Sequence, residues 1–251
     1  MIKQKPLFSV VIPTHQRPEA VKKAVDSVLT QTEQDLEVIV VDDYSPEDTF
    51  KVLKDIKDPR FNYIRLGARQ QRLIARNVGI RASNGTWLCM LDDDDWFEKN
   101  YLEEFKKAIL KQPKLSVFIC TALFIHKNGD NGRVIPAIAP PLNPAKTDPI
   151  YFDDGVYAWF KSGRITMGQF IFHRNCLDTI GYFPETASYG EFAEVAGIPG
   201  YGKREPDSRH DKPWVHVLGN PFGDDFFLFY KLTRHYLVGT VPKILVKKRC
   251  R

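Results

Sequence analysis

The sequence predicts an α/β fold: a mostly parallel sheet flanked by helices, followed by an irregular C-terminal half. Three observations lead there. Strand-like and helix-like segments alternate from residue 7 to residue 125. The strand-like segments are apolar throughout, the pattern of strands buried on both faces by flanking helices. Beyond residue 125 the alternation stops and Pro, Gly and Asp accumulate.

The elements follow in order. LFSVVI (7–12) is a continuous apolar strand. Residues 17–32 form a helix, because Val21, Ala24, Val25, Val28 and Leu29 recur at helical spacing and Pro18 suits a first turn. LEVIVV (36–41) is a second buried strand, and Ser45 is a natural N-cap for a helix over 45–56. FNYIRL (61–66) is a third strand, and residues 69–83 form a helix that Asn84-Gly85 stops. TWLCML (86–91) is a fourth strand, 98–111 a helix and 115–125 a long strand. Residues 128–165 read as loops and short elements, and 169–174 as a short strand. Residues 184–223 hold six glycines and five prolines, a long loop of the kind that carries function. A helix over 224–236 and a strand over 244–248 complete the chain. One domain over 1–251 is expected, with a ligand-binding half to 125 and a second half from 126.

Composition narrows the class. The 251 residues are enough for a sizeable core, and 43% hydrophobic with 27% charged is ordinary for a globular protein. A net charge of +5 does not mark a nucleic-acid binder. The basic KKRCR (247–251) reads as a solvated tail, with peripheral contact to an anionic membrane surface as its functional alternative. Cys89, Cys120, Cys176 and Cys250 form no CxxC pair and read as reduced core cysteines. No segment approaches the ~20 apolar residues of a membrane span, and the N-terminal apolar stretch is short for a signal peptide. A cytoplasmic protein, at most resting on the inner face of a membrane, is expected.

The polar residues fall where such a sheet binds ligands, beyond the carboxyl ends of its strands. Pro13-Thr14-His15 follows the first strand, Asp42-Asp43 the second and Asp92–Asp95 the fourth. Six aspartates at one edge need a counter-charge, since two like charges ~4 Å apart cost about 1 kcal/mol even in water. Asp92 and Asp94, two apart on an extended segment, suit a hard cation such as Mg²⁺ or Mn²⁺ held with substrate phosphates. Arg69, Arg72 and Arg76 share a helix face at their spacing and supply positive partners. Neither GxGxxG nor GxxxxGK[ST] occurs, so dinucleotide and P-loop chemistry lack their motifs.

The segments FSVVIPTHQRPEAVKKAVDSVLTQT, EVIVVDDYSPEDT, ARNVGIRASNGTWLCMLDDDDWF and GDDFFLFYKL together resemble the family 2 glycosyltransferases of GT-A fold. The resemblance is close over residues 7–125 and looser over 166–184 and 223–249. It implies inverting transfer of a sugar from a nucleoside-diphosphate donor, UDP first among the candidates, to a hydroxyl of a glycan or lipid-linked acceptor in cell-surface glycan assembly. It implies that Asp43 meets the nucleobase in a pocket lined by Pro13, Thr14 and His15. Asp93 falls at the ribose, Asp94 is the main ligand of Mn²⁺ or Mg²⁺, and Asp92 opens the DxD motif. Arg17, Arg72, Arg76 and Asn77 join the donor-binding set. Asp225 is the catalytic base, with Asp224 in the place of the family's Glu. MGQF (167–170) matches the acceptor side and nominates Gln169. His210 and Trp214, in a mixed basic and aromatic segment, are the other acceptor candidates. Asp95 is left to cap the turn into the next helix. The chain departs from the pattern at Gln16, where Asn is usual, and at Lys231, where Arg is usual. Two alternatives stay open on the residues alone: a nucleotidyltransferase or phosphatase using the acidic cluster, and a nucleotide-sugar-binding module without catalysis.

Overall fold

A computed structural model of the protein describes residues 5–126, 129, 131–135, 165–183 and 224–249. The whole of the expected long loop, 184–223, with His210 and Trp214, lies outside the described residues. The strands are β1 (Phe8–Thr14), β2 (Leu36–Asp42), β3 (Phe61–Arg65), β4 (Trp87–Met90), β5 (Asp95–Phe97), β6 (Val117–Ile125), β7 (Asn131–Ile135), β8 (Phe170–His173) and β9 (Val238–Arg249). The helices are α1 (Pro18–Leu29), α2 (Glu47–Leu53), α3 (Arg72–Ala82), α4 (Tyr101–Lys111), α5 (Cys176–Ile180) and α6 (Asp224–His235). All the strands join one sheet in the order β3-β2-β1-β4-β8-β6-β9-β5, with β7 on β6. β1, β2, β3 and β4 run parallel, as do β6 and β9. β8 enters antiparallel between β4 and β6.

The period-two geometry of each strand divides the core between the two faces. Phe8, Val10 and Ile12 of β1 pack with Val21, Val25 and Val28 of α1 and with Tyr101, Leu102 and Phe105 of α4. Val11 turns to the other face, where Ile80 of α3, Phe170 and Phe172 of β8, and Leu228, Phe229 and Leu232 of α6 gather. α3 packs directly against β1 at Gly79, where only a missing side chain leaves room. A Cβ there would stand 2.3 Å from Cγ1 of Val11. Cys89, Cys120 and Cys176 are buried free thiols, as expected of core cysteines.

Four features depart from the sequence expectations. Ser45 does not cap α2, which starts at Glu47 with Pro46 at its N-cap. Instead Ser45 Oγ accepts from Gln16 N–H at 2.8 Å and ties the β1–α1 turn to the β2–α2 turn. α3 begins at Arg72, so Arg69 precedes the helix and does not share its face. β9 is twelve residues rather than five, because it lies along both β6 and β5. β5, β7 and α5 are additions that local pattern did not reveal. β5 is three residues long and is a strand only because β9 pairs with it.

Candidate functional site

The strand order reverses at β1: β2 and β3 lie to one side, β4 and the later strands to the other. Open α/β sheets bind ligands at such a switch point, beyond the strand ends. β1 and β4 stay paired only as far as Val11 and Met90, and the last contact is Leu91 N–H to Val11 C=O. Pro13 has the same main-chain orientation as Val11 and would also face β4. Its missing N–H therefore falls where β4 has already left, at no cost to the ladder. Thr14 ends β1 opposite Asp42 of β2.

Into this crevice the chain delivers the acidic run, and three basic side chains meet it. Arg17, at the N-cap of α1, donates to Asp93 at 2.8 Å and to Asp94 at 3.1 Å. Thr14 Oγ1 donates to the other oxygen of Asp93 at 2.9 Å. Arg76, fully buried on α3, meets Asp92 at 2.6 Å. Lys248 of β9 bridges Asp92 at 3.2 Å and Asp95 at 2.9 Å. Arg72 is exposed at the first residue of α3, and its charge helps hold Asp92 ionised.

These contacts correct three expectations. The acidic run does not wait for an external counter-charge, because Arg17, Arg76 and Lys248 already supply one. Asp95 is not a turn cap: it opens β5, is 1% exposed and is paired with Lys248. The basic residues 247–249 are not a solvated tail. They form part of β9, with Lys247 on Glu98 and Lys248 in the acidic cluster.

Environment separates Asp92, Asp93 and Asp95. Burial would raise Asp92, but Lys248 and Arg76, with Arg72 behind them, hold it far below the usual carboxylate range. Burial raises Asp93 despite Arg17 and Thr14. Burial, opposed by Lys248 and reinforced by Asp92, pushes Asp95 up to about 7.

The donor set fits a hard divalent cation. Asp92, Asp94 and Asp95 each offer a carboxylate oxygen, all within 4.8 Å of one another. All three donors are oxygens, the ligands Mg²⁺ and Mn²⁺ prefer. Oδ1 of Asp95 is buried with no hydrogen-bond partner among the described residues. The structure thus adds Asp95 to the expected pair Asp92 and Asp94.

A second group lines the β2 side of the crevice. Asp43 N–H donates to Thr14 C=O at 2.9 Å. The Asp43 carboxylate is 5% exposed and accepts from the main-chain N–H groups of Gln70 at 2.6 Å and Gln71 at 3.0 Å, which fixes the entry to α3. His15 Nδ1 lies 2.8 Å from Asp43 C=O, a contact that needs the proton on Nδ1. Gln16, Tyr44 and Gln71 adopt positive φ, at 56°, 62° and 76°. Non-glycine residues in that region are strained and cluster at binding sites. Tyr44 is 49% exposed, with the Arg65 guanidinium 5.0 Å from its ring centroid. Sequence reasoning passed over it. Its signal, an aromatic directly after Asp42-Asp43 at a strand end, was available.

Two expected site residues serve the framework. Asn77 is fully buried and exchanges both amide hydrogen bonds with the main chain of Phe183, which joins α3 to the segment after α5. Gln169 was expected on the acceptor side, and its side chain is instead fully buried. Its Nε2 donates to Cys120 C=O, and its Oε1 accepts from Thr166 N–H. It braces β6 and the turn before β8, so its influence on any acceptor is positional. Asp224 and Asp225 are the first two residues of α6, which Leu228, Phe229 and Leu232 anchor in the core. Their side chains lie outside the described residues.

Known proteins share the family pattern and the fold. A family model described as glycosyl transferase family 2 matches residues 9–180. An uncharacterized glycosyltransferase of Rickettsia bellii is 40% identical over 96 residues, covering 38% of this chain and 14% of that protein. Staphylococcus aureus TarS 1–349 in complex with UDP-GlcNAc aligns with a TM-score of 0.66 at 16% identity, over 99% of this chain and 59% of that one. The mannosyltransferase PcManGT from Pyrobaculum calidifontis, in complex with GDP-Man and Mn²⁺, aligns at 0.57 and 16%, over 98% of this chain and 57% of that one. At such identities the two structures establish a shared fold, an α/β sheet of the GT-A kind. The chain spans about a seventh of the Rickettsia protein and under two thirds of either structure. Among the described residues no helix is long and apolar enough to cross a membrane.

Proposed function

The chain belongs to glycosyl transferase family 2, and on that premise we propose that it moves a sugar from a nucleoside-diphosphate donor to a hydroxyl of a glycan or lipid-linked acceptor, with inversion. The observation that carries this reading is the paired acidic run at the switch point: Thr14 and Arg17 hold Asp93, Arg17 also reaches Asp94, and Arg76 holds Asp92 at the end of β4. The complexes of fold neighbours with UDP-GlcNAc and with GDP-Man and Mn²⁺ support a nucleotide-sugar donor. UDP is the first nucleotide to test.

In this reading residues up to 125 hold the donor and the later residues face the acceptor. Pro13, Thr14, His15 and Asp43 shape the nucleobase pocket, and Asp93 receives the ribose. Arg17, Arg72 and Arg76 orient the diphosphate and balance the acidic wall. Asn77 sets the position of α3 through Phe183. A divalent cation held by Asp92, Asp94 and Asp95 would neutralise charge on the departing diphosphate. The acceptor oxygen attacks the anomeric carbon as the bond to the diphosphate breaks. Its proton passes to Asp225, the second residue of α6.

Asp94→Asn and Asp225→Asn test the reading. Each is expected to lower transfer by about 10²-fold or more while circular dichroism stays that of the parent. A thermal-shift screen of nucleoside diphosphates with and without Mn²⁺ identifies the base. Full transfer by both variants would overturn the proposal.

A further inference from the structure

A pocket of about 250 Å³ adjoins the acidic cluster on the side away from β2. Asp94 and Asp95 line it where it meets the cluster. Lys23 of α1, Trp96 of β5, His126 after β6 and Arg249 of β9 supply the other charged and aromatic parts of its wall. Neither the donor network nor the cation set uses these four residues.

The charge of the pocket is unusual for a place next to four aspartates. Asp94 and Asp95 are already matched by Arg17 and Lys248. Lys23 and Arg249 have no carboxylate partner among the described residues. Lys23 rests its Nζ 3.2 Å from the centroid of the Trp96 ring, a contact that positions the ammonium without cancelling its charge. Burial, then the charges of Arg249 and Lys247, lower its affinity for a proton, a sign that like charges crowd there. An anion entering between Lys23 and Arg249 would relieve that repulsion. The volume is below the ~300–1,000 Å³ typical of a drug-sized ligand, so it suits one sugar unit or its charged substituent. A nucleotide is too large for it.

We propose that this pocket is an acceptor subsite that takes an anionic group, a carboxylate or a phosphate ester, between Lys23 and Arg249. The inference rests on the glycosyltransferase reading, and it narrows the acceptor to an acidic or phosphorylated saccharide. The pocket shares Asp94 and Asp95 with the cation set, so an acceptor anchored there lies beside the reacting centre.

Both cations are exposed, so Lys23→Ala/Arg249→Ala is a safe double variant. Parent and variant are titrated with glucuronate, glycerol 3-phosphate and glucose, following tryptophan fluorescence, with Trp96→Phe to assign the signal. UDP with Mn²⁺ is measured in parallel by thermal shift. The expected result is a saturable response to one or both anions, none to glucose, about tenfold weaker in the double variant. The stronger anion then names the acceptor chemistry. Equal anion responses in parent and variant would overturn the proposal, as would a response to glucose as strong as to the anions. A loss of the UDP response in the double variant would also overturn it, by making the pocket part of the donor site. Failure of UDP and every other nucleoside diphosphate to bind the parent would instead strike the glycosyltransferase reading, leaving the anion result legible.

Discussion

Lys248 shows how much one residue can change the meaning of a motif. Four consecutive aspartates look like an unbalanced charge run, and a metal is the obvious remedy. Lys248, more than 150 residues away in the chain, bridges two of them. Its side chain is 20% exposed and that of Asp95 is fully buried. Removing one partner of such a pair leaves the other desolvated and unpaired. Lys248→Met is therefore expected to cost about 2–3 kcal/mol of stability without metal, read from the urea midpoint. With Lys248 gone, Mn²⁺ can supply the counter-charge the lysine gave to ionised Asp95, so the increase in Tm on adding Mn²⁺ at pH 8 should be larger in the variant. An Mn²⁺ effect no larger than in the parent would show that lysine and cation do not compete. Asp92 and Asp94 were legible in the sequence because DxD spacing is local. Their arginine and lysine partners were not, because spacing says nothing about which distant side chain arrives.

At the scale of elements, the helices and central strands were readable and their edges were not. β1, β2 and β4 are largely apolar because both faces are covered, and α1 shows its buried stripe at Val21, Ala24, Val25 and Val28. β5 and the full length of β9 depend on each other, and no local pattern encodes a pairing between residues 95 and 248. The packing of α3 on β1 depends on a missing side chain. Gly79→Ala would place Cβ 2.3 Å from Val11 Cγ1 in the core. Overpacking of that kind costs ~1–3 kcal/mol, opposed by the ~1 kcal/mol that Ala adds to a helix. Net destabilisation is expected, relieved when Val11→Ala is added. A double-mutant cycle measures the coupling, and additive effects would refute the contact. Because α3 also carries Arg76, the same shift should weaken nucleotide binding.

At the scale of the molecule, pH stability reports the state of the acidic cluster. Asp95 has its folded pKa raised to about 7, from an ordinary value near 3.9. A raised carboxylate favours the protonated form in the fold. Its stabilising effect is complete below about pH 4 and is lost as pH rises through 7. Asp92 is held low, so its contribution is present above pH 4 and lost only in stronger acid. Between pH 5 and 8 the metal-free protein should therefore lose stability with rising pH, and Asp95→Asn should flatten the curve. Stabilisation by Mn²⁺ should grow over the same range, because a ligating carboxylate must be ionised. Melting curves at four or five pH values check both slopes.

The sequence by itself determined the main alternating strands and helices, the acidic strand ends and the DxD spacing. All of these are set by residues within about ten positions of one another, where periodicity and capping act. Only the tertiary structure decided which charges meet. It placed Lys248 and Arg17 on the aspartates, drew Asp95 into the cation set, withdrew Gln169 and Asn77 into the framework, and opened the pocket between Lys23 and Arg249. Those outcomes depend on strand pairing across the whole chain, and burial then fixes the energy of each charge that the pairing brings in.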